Sequence, residues 1–278
     1  VRTTLILLGA VSVFPALAHS QPIGPPAPEE MTIPSAGERL TMPAKRLALR
    51  THLEINLSSD TAFEPVSLAP DVWYGVNDDL TIGLVHSAAA ASGVMGGVGS
   101  SLCLTGTSGG CADVYRGFGV DARYHLRQGK IALAVNGGLY INRLDPFQLA
   151  IKLGAVARWR PSPSSKLAID AAPNLFIGLT ERDATAAQPG NTEVLSLPIS
   201  AVYDLRPKLS LAAQTGLVLP FTDTADRFAI PLSLGVGYQL SYRISLDAAF
   251  SLPALIGGDA VANGFDARTI TLGGGYAF

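Results

Sequence analysis

The last eleven residues, Arg268 to Phe278, read RTITLGGGYAF. Taken alternately, Ile270, Leu272, Gly274, Tyr276 and Phe278 form one file, and Thr269, Thr271, Gly273, Gly275 and Ala277 the other. A period of two with one apolar face and one small, polar face specifies a strand with two different surroundings. The stretch is as long as a tilted strand must be to cross a bilayer, and it ends on the carboxylate of an aromatic residue.

The rest of the chain repeats this pattern. Hydrophobic residues make up 48% and charged residues 15%, which is too apolar for a typical soluble protein. Beyond residue 20, however, no uncharged apolar run is long enough for a membrane-spanning helix. Alternating strands resolve the conflict by spreading the apolar residues over every second position. The formal charge of −2 gives no basis for nucleic-acid binding.

Twelve strands are expected, at 46–58, 65–76, 80–88, 112–126, 130–142, 147–160, 166–180, 193–205, 208–220, 228–240, 244–252 and 268–278. The first points Leu47, Leu49, Leu53, Ile55 and Leu57 one way and Arg50, His52, Glu54 and Asn56 the other. Connections after even strands are short, such as Asn77-Asp78-Asp79 and Arg127-Gln128-Gly129, whereas most of those after odd strands are longer. Every even strand also carries a Tyr or Trp one or two positions before its end: Tyr74, Tyr124, Trp159, Tyr203, Tyr238 and Tyr276. Each lies on the apolar file, where a ring with a polar handle suits a lipid boundary.

This combination resembles the bacterial outer-membrane β-barrels, porin-like in kind. Their closing strand ends on Phe with an aromatic or apolar residue two positions earlier, matched here by Tyr276 and Phe278 as an assembly signal. The resemblance implies a closed antiparallel barrel in the outer membrane, short turns in the periplasm, longer loops outside, and the barrel-assembly machinery as a partner. Outer-membrane lipid and lipopolysaccharide would surround a monomer.

Residues 1–20, with Arg2, an apolar core from Leu5 to Phe14 and Ala16-Leu17-Ala18, read as an export signal cleaved after Ala18 or Ser20. Residues 21–45 hold six of the nineteen prolines and no periodicity, which reads as an extended periplasmic tail. It is either a disordered leader or a plug that enters the lumen. The barrel is then 46–278.

The inward files are mostly Ala, Gly, Ser and Thr, too small to fill a twelve-stranded interior, so water, a ligand or an inserted segment must occupy it. The inward ionisable residues are few: Arg50, His52, Glu54, Asp121, Arg123, His125, Arg158, Arg160, Asp170, Asp204 and Asp247. They form either a constriction that orders polar solutes or a salt-bridged floor. Arg116 is expected outward, at the lipid headgroups.

The three histidines after the signal, His52, His86 and His125, have no Ser or acid placed as a hydrolase needs, so an enzyme is not expected. No cofactor or metal set is evident. Cys103 and Cys111, close together in an exported chain, are expected to form a disulfide in the long second outside loop, where Gly93 to Gly99 supply flexibility. The expected function is passive diffusion of small polar solutes or ions. The alternatives are a non-conducting surface barrel and, less favoured, a lipid-modifying enzyme.

Overall fold

In a computed structural model, residues 35–58, 60–97, 102–183, 190–261 and 264–278 are described. The export signal and residues 21–34 of the tail lie outside them.

Twelve antiparallel strands form a closed up-and-down barrel. They are β1 (Leu47–Asn56), β2 (Val66–Gly75), β3 (Leu80–Val85), β4 (Phe118–Arg127), β5 (Ile131–Arg143) and β6 (Gln148–Trp159). The circuit continues with β7, in two pieces (Leu167–Ala171 and Asn174–Gly178), then β8 (Val194–Arg206), β9 (Leu209–Pro220), β10 (Ala229–Gln239), β11 (Ile244–Gly257) and β12 (Thr269–Ala277). Each pairs with its sequence neighbours, and β12 closes on β1 in register from Ala48↔Ala277 to Asn56↔Thr269. Phe278 extends the seam, its N–H donating to the Leu47 carbonyl at 2.9 Å. Closure leaves no edge strand, which a chain in hydrocarbon requires.

Four strands depart from the expected runs, β11 by continuing to Gly257 rather than ending at residue 252. In β7, Pro173 has no N–H and the ladder skips Ala172 and Pro173. The wall stays shut because Ala155 donates to the Pro173 carbonyl at 3.0 Å and Ala172 to that of Pro198 at 3.1 Å. β3 stops at Val85, where the chain turns into the lumen as helix α1 (Ala88–Ser92). β4 starts only at Phe118, so residues 112–117 belong to the outside loop and Arg116 is not on the lipid face. Beyond the regular strand, parity no longer dictates direction, and Arg116 lines a cavity inside the outer mouth.

The outer face is apolar on every strand, with Leu49, Tyr74, Leu84, Val120, Leu139, Leu153, Ile169, Ile199, Leu211, Leu234, Leu246 and Leu272 exposed. The interior is polar, with Glu54, Asp71, Asp121, Lys152 and Arg158 all buried. That inversion of a soluble protein fits a chain whose outer solvent is lipid.

In the long outside loop, Leu102–Cys103 pairs with Ser67 and Leu68 of β2, and Cys103 and Cys111 form the expected disulfide. The loop therefore has two parts: one stapled above β2, the other folded into the barrel.

Candidate functional site

The interior left open by small residues is occupied by two inserts. From outside comes the loop 86–97. Asp71 of β2 holds its start: Oδ1 accepts from the N–H groups of His86 (2.6 Å) and Ser87 (2.9 Å), and Oδ2 from the Ser87 hydroxyl (2.5 Å). Ser87 also caps α1 by accepting from Ala90 N–H at 3.1 Å. Lys152 donates to the Ala90 carbonyl at 3.2 Å while paired with Asp121, which also accepts from the Tyr140 hydroxyl at 2.7 Å.

The loop then crosses the lumen. Asn174 and Ser196 both donate to the Ser92 carbonyl, at 3.1 and 3.2 Å. Gln214 works from both ends of its amide, donating to the Gly93 carbonyl at 2.9 Å and accepting from Met95 N–H at 2.5 Å. Ser233 donates to the Met95 carbonyl at 3.1 Å. At Gly96, with φ of 85°, a Cβ would lie 2.4 Å from the Ser251 side chain, so only glycine fits against the far wall. Six strands, β2, β6, β7, β8, β9 and β10, thus satisfy an irregular backbone that has no ladder of its own. Of the Gly-rich stretch expected to supply flexibility, residues 93–96 are held against the wall, and residues 98 and 99 lie outside the described ones.

From the opposite end of the barrel, where the short turns lie, comes Ser35–Lys45. Of the two sequence readings of the tail, leader or plug, this part follows the second: Ala36, Glu38, Leu40, Thr41 and Met42 are buried in the barrel. Wall groups meet its backbone: Asp204 accepts from Ala36 N–H at 3.0 Å, and Thr81 Oγ1 from Met42 N–H at 2.8 Å. Arg158 donates to the Glu38 carbonyl at 2.7 Å and Arg123 to the Leu40 carbonyl at 3.1 Å. Met42 packs in an apolar cluster with Ala48 and Trp73. Proline stiffness does not oppose this entry, because Pro43 is the one proline in the segment and sits at its neck.

Between the inserts lies a chamber of about 170 Å³, lined by Arg39, Arg50, Arg123, Lys152 and Arg158 with Asp71 and Asp170. A second cavity of about 380 Å³ lies beyond α1, bounded by His86, Arg116, Asn142 and Asn191.

The residues singled out from sequence separate into groups. Arg50, His52, Arg123, Arg158 and Asp170 line the chamber. Arg158 binds Asp170 through two parallel bonds of 2.7 Å, Nε to Oδ1 and Nη2 to Oδ2. Glu54 and Asp121 are buried in the wall, Glu54 accepting from the Ser67 hydroxyl at 2.8 Å. Asp204 serves the tail segment and Ser210. His125 sits 3.4 Å from Asp79 at the rim with the short turns. Arg160 lies just past β6, and Asp247 packs against Gly273 of β12; neither lines the chamber. The rings of Tyr74, Tyr124, Trp159, Tyr203, Tyr238 and Tyr276 are all exposed on the outer face, and Tyr276 meets Phe278 edge to face at 4.8 Å.

Sequence reasoning passed over Asp71, Gln214 and Thr81. Inward parity marks all three, but nothing local shows what they reach.

A closed barrel with an apolar exterior, a polar interior and inserts in its lumen defines a bacterial outer-membrane barrel of porin-like architecture. Two solved structures share the fold. The NanC porin superposes with a TM-score of 0.54 at 11% identity, covering 83% of this chain and 98% of that one. The KdgM porin in complex with disordered oligogalacturonate gives 0.53 at 8% identity, covering 84% and 99%. No family model and no curated protein matches the sequence.

Proposed function

We propose that the barrel is a passive channel for small polar solutes and that it favours anions. The carrying observation is the lining of the chamber, in which five cationic side chains stand against two carboxylates. Arg158 and Lys152 are committed to acids. Arg50 lies opposite Asp71 in the β1–β2 register, but Asp71 is turned to the loop, and Arg50 makes no ion pair among the described residues. A guanidinium in a confined lumen without its own carboxylate raises the local concentration of anions.

The same reading places the six outer rings at the periplasmic lipid boundary and gives Tyr276 and Phe278 to the assembly machinery. The barrel works as a monomer surrounded by lipid and lipopolysaccharide. No catalytic role falls to His86, whose ring is held by the Pro70 carbonyl and the Tyr115 hydroxyl.

The test is the reversal potential in a planar bilayer under a salt gradient. Openings should pass chloride in preference to potassium, and Arg50→Ala should move the ratio toward unity. Cation preference in the parent chain would overturn the charge assignment.

A further inference from the structure

We propose that Ser35–Lys45 is a displaceable plug: seated, it closes the periplasmic floor of the chamber, and it opens the path by leaving as a unit while all twelve strands stay paired. The proposal rests on the channel reading above and concerns how that channel is closed.

The wall is shaped for the segment. At Gly75, the last residue of β2, a Cβ would lie 2.0 Å from the Pro43 carbonyl oxygen, so the neck runs through space that any other side chain would fill. The adjoining periplasmic turn is a second seat: Asp78 accepts from Ala44 N–H through its carboxylate at 3.0 Å, and through its carbonyl from the Thr41 hydroxyl at 2.9 Å. Lys45, in the left-handed region at φ 61°, then reverses the chain from the lumen into β1.

The wall is also built to lose the segment. The charged groups of the interior that grip it have other roles, and the fourth, Asp78, is exposed to solvent: Arg158 keeps both bonds to Asp170, Asp204 keeps Ser210, and Arg123 stays beside the Trp73 ring at 6.0 Å. Withdrawal therefore strands none of these charges. The segment adds no strand to the barrel; among the described residues its one main-chain bond to a strand is from Lys45 N–H to the Gly75 carbonyl at 2.7 Å, so withdrawal breaks that bond and leaves the pairing of the twelve strands intact. Its departure would remove the Glu38 and Leu40 carbonyls from Arg158 and Arg123, two guanidinium groups that already line the chamber.

The experiment compares the full chain with a variant lacking residues 21–42, both reconstituted in planar bilayers, with folding checked by the heat-dependent shift in detergent gels. Seating is read separately from Ala36→Cys, a position with no exposed surface, by reaction of the introduced thiol with a water-soluble maleimide. The full chain should be mostly closed with that thiol protected. The shortened chain should be mostly open, a rise of about tenfold or more in open probability. Gly75→Val, which leaves the segment present and fills its neck slot, should open the channel and expose the thiol.

Equal conductance of the full and shortened chains, both folded, overturns the plug and leaves the channel standing. If neither folded chain conducts, the channel reading falls and the plug with it. A Gly75→Val barrel that stays closed with the thiol protected overturns the seat.

Discussion

The loop that enters the lumen from outside and the tail segment that enters from below are of similar length, yet they are held by opposite means. The loop is joined to the barrel at both ends, and its peptide groups are met by residues such as Asp71, Gln214 and Ser233, whose described bonds run largely to the loop. The tail segment has one attachment in the described chain, and its peptide groups are met by Arg158 and Asp204, which have partners elsewhere. Neither insert has a ladder to satisfy its backbone, so the wall must do it. What separates a fixture from a removable part is therefore whether the wall is left unsatisfied when the insert goes.

The strongest challenge to that comparison is Asp71→Ala. It removes the carboxylate that receives three bonds from His86 and Ser87, and leaves two N–H groups at the start of α1 without an acceptor. A charged acceptor with several donors corresponds to a loss of about 3 kcal/mol, read as a lower urea midpoint of the folded barrel in detergent. A midpoint equal to that of the parent would show that the loop does not depend on this anchor.

Gln214→Ala comes next. Both ends of the amide are used, so truncation leaves the Gly93 carbonyl and the buried Met95 N–H unpaired, a loss of about 2 kcal/mol. Proteolysis between Ser92 and Gly97 should increase, while maleimide labelling in an Ala36→Cys background should not change. If the thiol at position 36 became reactive, the two inserts would be one coupled unit rather than two.

The wall was legible in the sequence because period two ties every residue to a face. Once Leu47 and Leu49 are outward, Arg50, His52 and Glu54 must be inward, and the β1–β12 register carries the same parity across the seam. Arg158 and Asp170 were recognisable as inward charges on neighbouring strands, and they do pair. That the tail enters the lumen stood in the sequence only as one of two readings, and what either insert touches was not legible, because an irregular segment has no period from which to infer contacts. Asp71 is a single acid between Pro70 and Val72, and its partners lie about fifteen residues on, past a turn and a strand. The tail segment offered only a faint sign: its prolines thin out after Pro34, and Leu40 and Met42 lie two apart, as a pair facing one side would. Arg116 was misplaced for a related reason, since parity was carried six residues past the point where β4 begins.

The smallest effect gives the sharpest discrimination. Thr81→Val keeps the shape of a residue buried in β3 and removes only the hydroxyl that accepts from Met42 N–H at 2.8 Å. The strand itself loses nothing, because Thr81 pairs with Arg123 of β4 through backbone groups. The seated tail segment should lose about 1 kcal/mol relative to the withdrawn one. That corresponds to roughly fivefold in the ratio of the two states, and hence to about fivefold faster labelling of the position-36 thiol at an unchanged urea midpoint. A midpoint that fell without faster labelling would mean that Thr81 supports the wall rather than the segment. If the rate and the midpoint both stayed at parent values, this contact would have no part in holding the segment, and the difference between the inserts would rest on Gly75 and the charged groups alone.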